Sequence, residues 1–214
     1  IRESRSEGTA ELVKAMVAAG GPKRLVSVSA VGYYGDRGDE ELDEQSPPGR
    51  GFLPEVCKAW EEEALRGGEE GLRVLVLRVG LLLDPEGGVL GQSLPLARAG
   101  LLGPLGSGRQ WWPWIHRDDL LGLLVLAVEG SAAGVWNATA PNPVRQKDFA
   151  KELGAVLRRP AFLPTPAFAL RIFLGGFADE PLISRRALPR LPLEAGYRFA
   201  FTELGPALRD LLAP

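Results

Sequence analysis

The chain has 214 residues, 45% hydrophobic and 24% charged, which is enough apolar material for a full core. Its formal net charge is −2 with no dense basic run, which excludes nucleic acid as a main partner, since phosphate neutralisation needs clustered Lys and Arg. The single cysteine, Cys57, excludes a disulfide within the chain and fits a reducing cytoplasm, and no apolar run is long and clean enough to span a bilayer.

Glu7 to Ala19 carries apolar residues at helical spacing and stops at Gly20-Gly21-Pro22. Leu25 to Ser29 reads as a short strand, and the polar, Gly- and Pro-rich stretch 35–51 as a surface loop. Leu53 to Leu65 is expected to be a helix with Pro54 in its first turn. The near-continuous apolar run Arg73 to Val79 suggests a strand buried on both faces, as in a parallel sheet. A helix over Leu90 to Gly100 and an extended piece from Trp111 to His116 follow. Asp118 to Glu129 is a helix with acidic residues at its start, which suits the dipole. A strand at Val135 to Ala138, a helix over Arg145 to Leu157, a Pro-rich turn FLPTPAF and a last helix from Thr202 to Leu212 complete the chain. Alternation of helix and strand is the α/β pattern.

Four stretches in order carry a resemblance. They are SAVGYYGD from Ser29, FLPEVCKAWE from Phe52, GSGRQWWPWIHRDD from Gly106 and LISRRALPRLPLEAGYRF from Leu182. Together they resemble the extended short-chain dehydrogenase/reductases, in the sugar-nucleotide epimerase branch of unassigned substrate that has a small extra C-terminal domain. The resemblance implies an α/β fold: the C-terminal half of the parallel sheet of an NAD(P)-binding Rossmann domain over residues 1–88, a substrate subdomain with returning Rossmann segments over 89–178, and the small family-specific domain over 179–214. It also implies NADP as cofactor, although the glycine-rich phosphate turn of such domains does not occur in these residues. The chain begins without Met, which suggests a start within a longer protein.

In this superfamily a Tyr-x-x-x-Lys pair moves the proton as hydride is transferred, and an i, i+4 spacing puts both groups on one helix face. The matching positions here hold Leu53 and Cys57. Ser29 matches the strand-end serine that could polarise a substrate oxygen. Tyr33 or Tyr34, on the loop after it, could move the proton, although aromatic packing is the commoner use of such residues. Whether a titratable group lies within hydrogen-bond reach of Ser29 separates a catalytic from a non-catalytic reading. Val28, Val79, Gly80 and Leu81 match the strand ends beside the nicotinamide. Arg109, Trp112 and His116 match the segment that closes over substrate.

Trp112 stands where the superfamily's nucleotide-sugar enzymes carry a diphosphate-gripping arginine, which favours a flatter or more apolar ligand. Cys57 reads as a small buried apolar residue, and Asp118-Asp119 as a helix cap. Glu61-Glu62-Glu63 reads as a solvated helix face. No metal is expected, since His116 is the only histidine and has no partner at ligand spacing. The expected function is an NADP-dependent epimerase or oxidoreductase acting on a small molecule in the cytoplasm, with neither membrane nor nucleic acid as partner and with a homodimer left open. The alternative is a non-catalytic dinucleotide-binding or protein-interaction module.

Overall fold

The computed structural model describes residues 2–21, 23–165 and 180–213. Helix α1 (Arg2–Ala18) leads into strand β1 (Arg24–Ala30), a 3₁₀ turn (Val31–Tyr34) and the short strand β2 (Glu41–Leu42). Helix α2 (Phe52–Glu69), strands β3 (Arg73–Val79) and β4 (Leu81–Leu83), and helix α3 (Gly88–Arg98) follow. Next come β5 (Trp111–Trp112), β6 (Trp114–His116), α4 (Arg117–Glu129), β7 (Gly134–Ala138), β8 (Val144–Arg145) and α5 (Gln146–Leu157). The C-terminal segment holds a 3₁₀ turn (Glu180–Leu182), β9 (Arg186–Ala187), α6 (Arg190–Glu194) and α7 (Leu204–Leu211). The FLPTPAF turn runs partly outside the described residues.

The main sheet is parallel, in the order β1-β3-β7. Its register aligns Ser29 with Arg78 and Arg78 with Asn137. Strand β3 has the bounds its apolar run suggests, because both its faces are covered. Val74 and Val76 pack with Val13, Leu25 and Ala64 under α1 and α2. Leu75 and Leu77 pack with Ile115, Leu123, Ala127 and Trp136 under α4. Each fully buried aliphatic side chain contributes roughly 1.5–3 kcal/mol. A further cluster joins α3, α5 and α7 through Leu90, Leu94, Trp114, Phe149, Leu153 and Leu208, so the last helix shares the core of the helices before it.

Long side chains pin the layers together. The Arg73 guanidinium donates to the carbonyls of Ala127 (3.0 Å), Val128 (3.2 Å) and Ala132 (3.3 Å) at the end of α4, where the helix dipole favours a cation. Short strand pairs then fold the loops over the carboxyl end of the sheet: β2 with β9, β4 with β6 and β5 with β8. Gly80 makes one such approach possible, since a Cβ there would lie 2.6 Å from the Pro113 carbonyl oxygen.

Candidate functional site

Behind the carboxyl edge of the sheet lies a buried polar row built by strand register. Ser29, Arg78 and Asn137 project from neighbouring strands towards α2, which adds Glu61; the turn after β1 adds Tyr34. Ser29 Oγ donates to Glu61 Oε1 at 2.6 Å. Arg78 Nη2 donates to Glu61 Oε2 at 2.7 Å and Nε to Oε1 at 3.0 Å, a two-pronged pair with Arg78 3% and Glu61 4% exposed. Arg78 Nη1 donates to Tyr34 Oη at 3.0 Å. The Tyr34 hydrogen faces Asn137 Oδ1 at 2.7 Å and the Asp43 carbonyl at 2.9 Å, and Asn137 Nδ2 reaches the Leu188 carbonyl at 2.9 Å.

The electrostatics follow from burial and pairing. Burial pushes the Tyr34 hydroxyl up to about 12, so it stays protonated. Burial works against charge on Arg78, but its bonds to Glu61 and Tyr34 outweigh that and raise its pKa. Glu61 is therefore no solvated face, as its place in an acidic triplet suggests; it is the counter-ion of a buried arginine. It occupies the helix stripe of Cys57 and Ala64, four and three residues away, and that spacing is the signal in the sequence that marks it. Together with an arginine inside the apolar run of β3, it points to a buried pair.

The catalytic candidates fall in and beside this row. A titratable group does lie within reach of Ser29, namely Glu61, and it takes the serine's hydrogen. Tyr33 is half-buried, with the Arg78 guanidinium 3.4 Å from its ring centroid, and burial leads in raising its pKa. It is thus a proton-bearing phenol next to a fixed positive charge. Cys57 is 4% exposed, and burial pushes its thiol up, only partly offset by hydrogen bonding to Ser29. This is the small buried residue expected of it.

In front of the row a cleft of about 270 Å³ opens at the strand ends. Val31, Leu81, Val89, Trp111 and Ile183 supply apolar wall, Gln92 a neutral amide, and Glu180 and Arg185 the charge. Leu81 and Trp112 line this cleft, with Val79 and Gly80 immediately before Leu81 on the strand end. Trp112 is nevertheless 5% exposed: its ring packs on Phe149 at 5.2 Å, and its Nε1 donates to the Pro181 carbonyl at 3.2 Å. Val28 is 43% exposed, and strand alternation sends it to the face opposite Ser29. Arg109 lines a separate, more open polar pocket with Asp36, Asp39, Arg145 and Ser184.

His116 lies apart from the lining of this cleft. Its fully buried ring is not a wall of the cleft but the N-cap of α4, with Nδ1 accepting from the Asp118 N–H at 3.1 Å. The ring stacks on Phe201 at 3.8 Å, and Nε2 lies 3.3 Å from Asp210 Oδ2 without making a hydrogen bond. Asp119, expected as a cap, instead receives the N–H groups of Ala200 (2.7 Å) and Phe201 (3.0 Å). Both residues bind the C-terminal segment. His116, Asp118 and Asp210 do bring three donor atoms within 4.8 Å of one another. The cap bond, however, leaves the hydrogen of the neutral ring on Nε2, so that nitrogen has no lone pair for a metal.

The sequence matches the NAD dependent epimerase/dehydratase family over residues 1–138 and a domain of unknown function (DUF1731) over residues 165–211. An Arabidopsis thaliana protein, "Epimerase family protein SDR39U1 homolog, chloroplastic", is 42% identical over 94% of this chain and 58% of its own length. The mouse epimerase family protein SDR39U1 is 40% identical over 98% of this chain and 73% of its own. Among solved structures, the human SDR39U1 (isoform2) with NADPH superposes with a TM-score of 0.93 at 38% identity, covering 99% of this chain and 72% of that one. The chain thus spans 58% to 73% of the length of these relatives. The parallel α/β, Rossmann-type fold and the extra C-terminal part are as the resemblance implies.

Proposed function

The chain belongs to the NAD dependent epimerase/dehydratase family, and from that premise we propose that it is part of an NADP-dependent oxidoreductase or epimerase acting on a small molecule. The observation that supports this most is the cleft at the carboxyl ends of β1 and β3, where α/β proteins of this class bind ligands. Val28, Val79, Gly80 and Leu81 are assigned to the ring end of the dinucleotide. The apolar Val31 and Leu81 fit a flat ring, and Gly80 lets Pro113 pack close enough to leave Leu81 facing the cleft. The choice of NADP follows the human relative, which is described with NADPH.

The bound dinucleotide would supply the hydride. Tyr33 holds the proton, kept on the phenol by burial, and Arg78 fixes its ring. Ser29 holds Glu61 in place. Arg109 serves the outer polar pocket, and Trp112 forms the floor of the cleft rather than a phosphate clamp. Among the described residues no helix is long and apolar enough to cross a membrane. Cytoplasmic residence and homodimer formation belong to this proposal, although the Arabidopsis relative is described as chloroplastic.

The test is a fluorescence titration of the full-length protein with NADPH and NADH. Tighter binding of NADPH is expected, and no binding of either overturns the proposal. In NADPH-dependent reduction of a carbonyl probe, Tyr33→Phe should lower kcat by about 10²-fold or more with NADPH affinity unchanged. The second reading, a non-catalytic dinucleotide-binding module, draws on Leu53 and Cys57, neither of which can replace a Tyr-Lys pair. NADPH binding without turnover, and without an effect of Tyr33→Phe, would favour it.

A further inference from the structure

The charges in the cleft wall cancel in a specific way. Among its described lining residues Arg185 is the one cation and Glu180 the one anion. Arg185 is 8% exposed, and each of its three guanidinium nitrogens donates: Nε to the Gly35 carbonyl at 3.2 Å, Nη1 to Glu180 Oε2 at 3.1 Å, and Nη2 to Oε1 and Oε2 at 3.2 and 3.1 Å. A phosphate entering here would have to displace Glu180 from a bidentate pair while standing beside its charge. The position where an arginine could have served a diphosphate is Trp112, packed into the floor. The other described lining residues are apolar or small, with Gln92 to hydrogen-bond a neutral oxygen.

We infer that the cleft takes an uncharged carbonyl compound with a flat apolar body, and that Glu180 sets this specificity by holding Arg185 in a bidentate pair. The carbonyl rests on the oxidoreductase reading above; the preference for an uncharged ligand rests on the cleft alone. At about 270 Å³ the cleft is at the small end of ligand pockets, and with the nicotinamide ring taking up part of it the rest suits one or two fused rings and not a nucleoside diphosphate joined to a sugar.

The full-length protein, without and with excess NADP⁺, is titrated with UDP and with 1,4-naphthoquinone, read by intrinsic tryptophan fluorescence, to which Trp111 and Trp112 at the cleft contribute. Wild type should bind the quinone more tightly than UDP. Glu180→Gln, which keeps shape and removes charge, should tighten UDP binding by about tenfold or more, with a salt dependence that wild type lacks. Glu180→Asp should stay like wild type. Wild-type preference for UDP, or UDP affinity unchanged in Glu180→Gln, overturns the inference. NADP⁺ affinity, measured in the same samples, reports separately on the cofactor proposal: its loss leaves the UDP comparison readable.

Discussion

Two buried polar regions of this protein differ in how completely they are paired. In the row behind the sheet edge, Ser29, Glu61, Arg78, Tyr34 and Asn137 each have a partner. The seam that holds the C-terminal segment is different. The three buried side-chain atoms without a hydrogen-bond partner among the described residues are Glu44 Oε2, His116 Nε2 and Arg186 Nε, and all three lie there. Glu44 receives the Asn137 and Leu191 N–H groups on one oxygen and leaves the other bare. Unpaired buried groups cost free energy, so the seam is the place where this fold is expected to open first.

The strongest way to break the comparison is to remove one charge from the row. Glu61→Gln leaves Arg78 buried without its counter-ion and should cost about 3–5 kcal/mol in urea unfolding. The pair Glu61→Leu with Arg78→Met should recover most of that loss. A cost under about 1 kcal/mol for Glu61→Gln would mean that the row is no more tightly held than the seam.

A smaller effect is expected at Asp119. Asp119→Asn removes the charge from the hydrogen bonds to Ala200 and Phe201 and should cost roughly 1.5–3 kcal/mol at most. It should speed amide exchange at Ala200 and Phe201 while Val76 and Leu77 in β3 stay protected. Equal acceleration at both places would show that segment and sheet open as one unit.

The smallest effect is a pH dependence of the seam. Burial holds the His116 pKa below its ordinary value of 6.5, against the raising influence of Asp118, Asp210 and Asp119 and with a minor lowering one from Arg117. The undocked form therefore takes up a proton first, and docking weakens as the pH falls below 6.5 towards the folded-state value. Glu44 works the other way: burial raises its pKa, so the docked form gains a proton first in acid. His116→Gln should remove the loss of Phe201 protection on acidification, and an unchanged pH profile would take His116 out of the account.

Much of the fold was legible because it rests on local patterns. The run from Arg73 to Val79 gave β3 its bounds, and the helices from Phe52 and Gln146 were placed within a few residues. Helix α1 reaches further back than its pattern indicates, to Arg2, because its first turns are polar and exposed and leave no apolar signal. The site was less legible because its partners are distant in sequence. Glu61 looks like its neighbours Glu62 and Glu63 until the phase of α2 is counted. His116 lies in a motif that suggests substrate, yet what surrounds it comes from Phe201 and Asp210, about ninety residues further on by sequence count. Glu180 precedes the quoted C-terminal stretch and Arg185 lies within it, but nothing local marks them as a pair; the path of the C-terminal segment over Trp111 brings both to the cleft.

The register of the row also sets an order of assembly. Glu61 and Arg78 are 17 residues apart and can meet once α2 and β3 exist. Tyr34 waits for Asn137, 103 residues later in the chain, and Asn137 waits a further 51 for Leu188. The Arg78–Glu61 pair can therefore form before Tyr34 has its last acceptor. Closing the rest of the row needs contacts distant in the chain, the kind expected to be slow in folding.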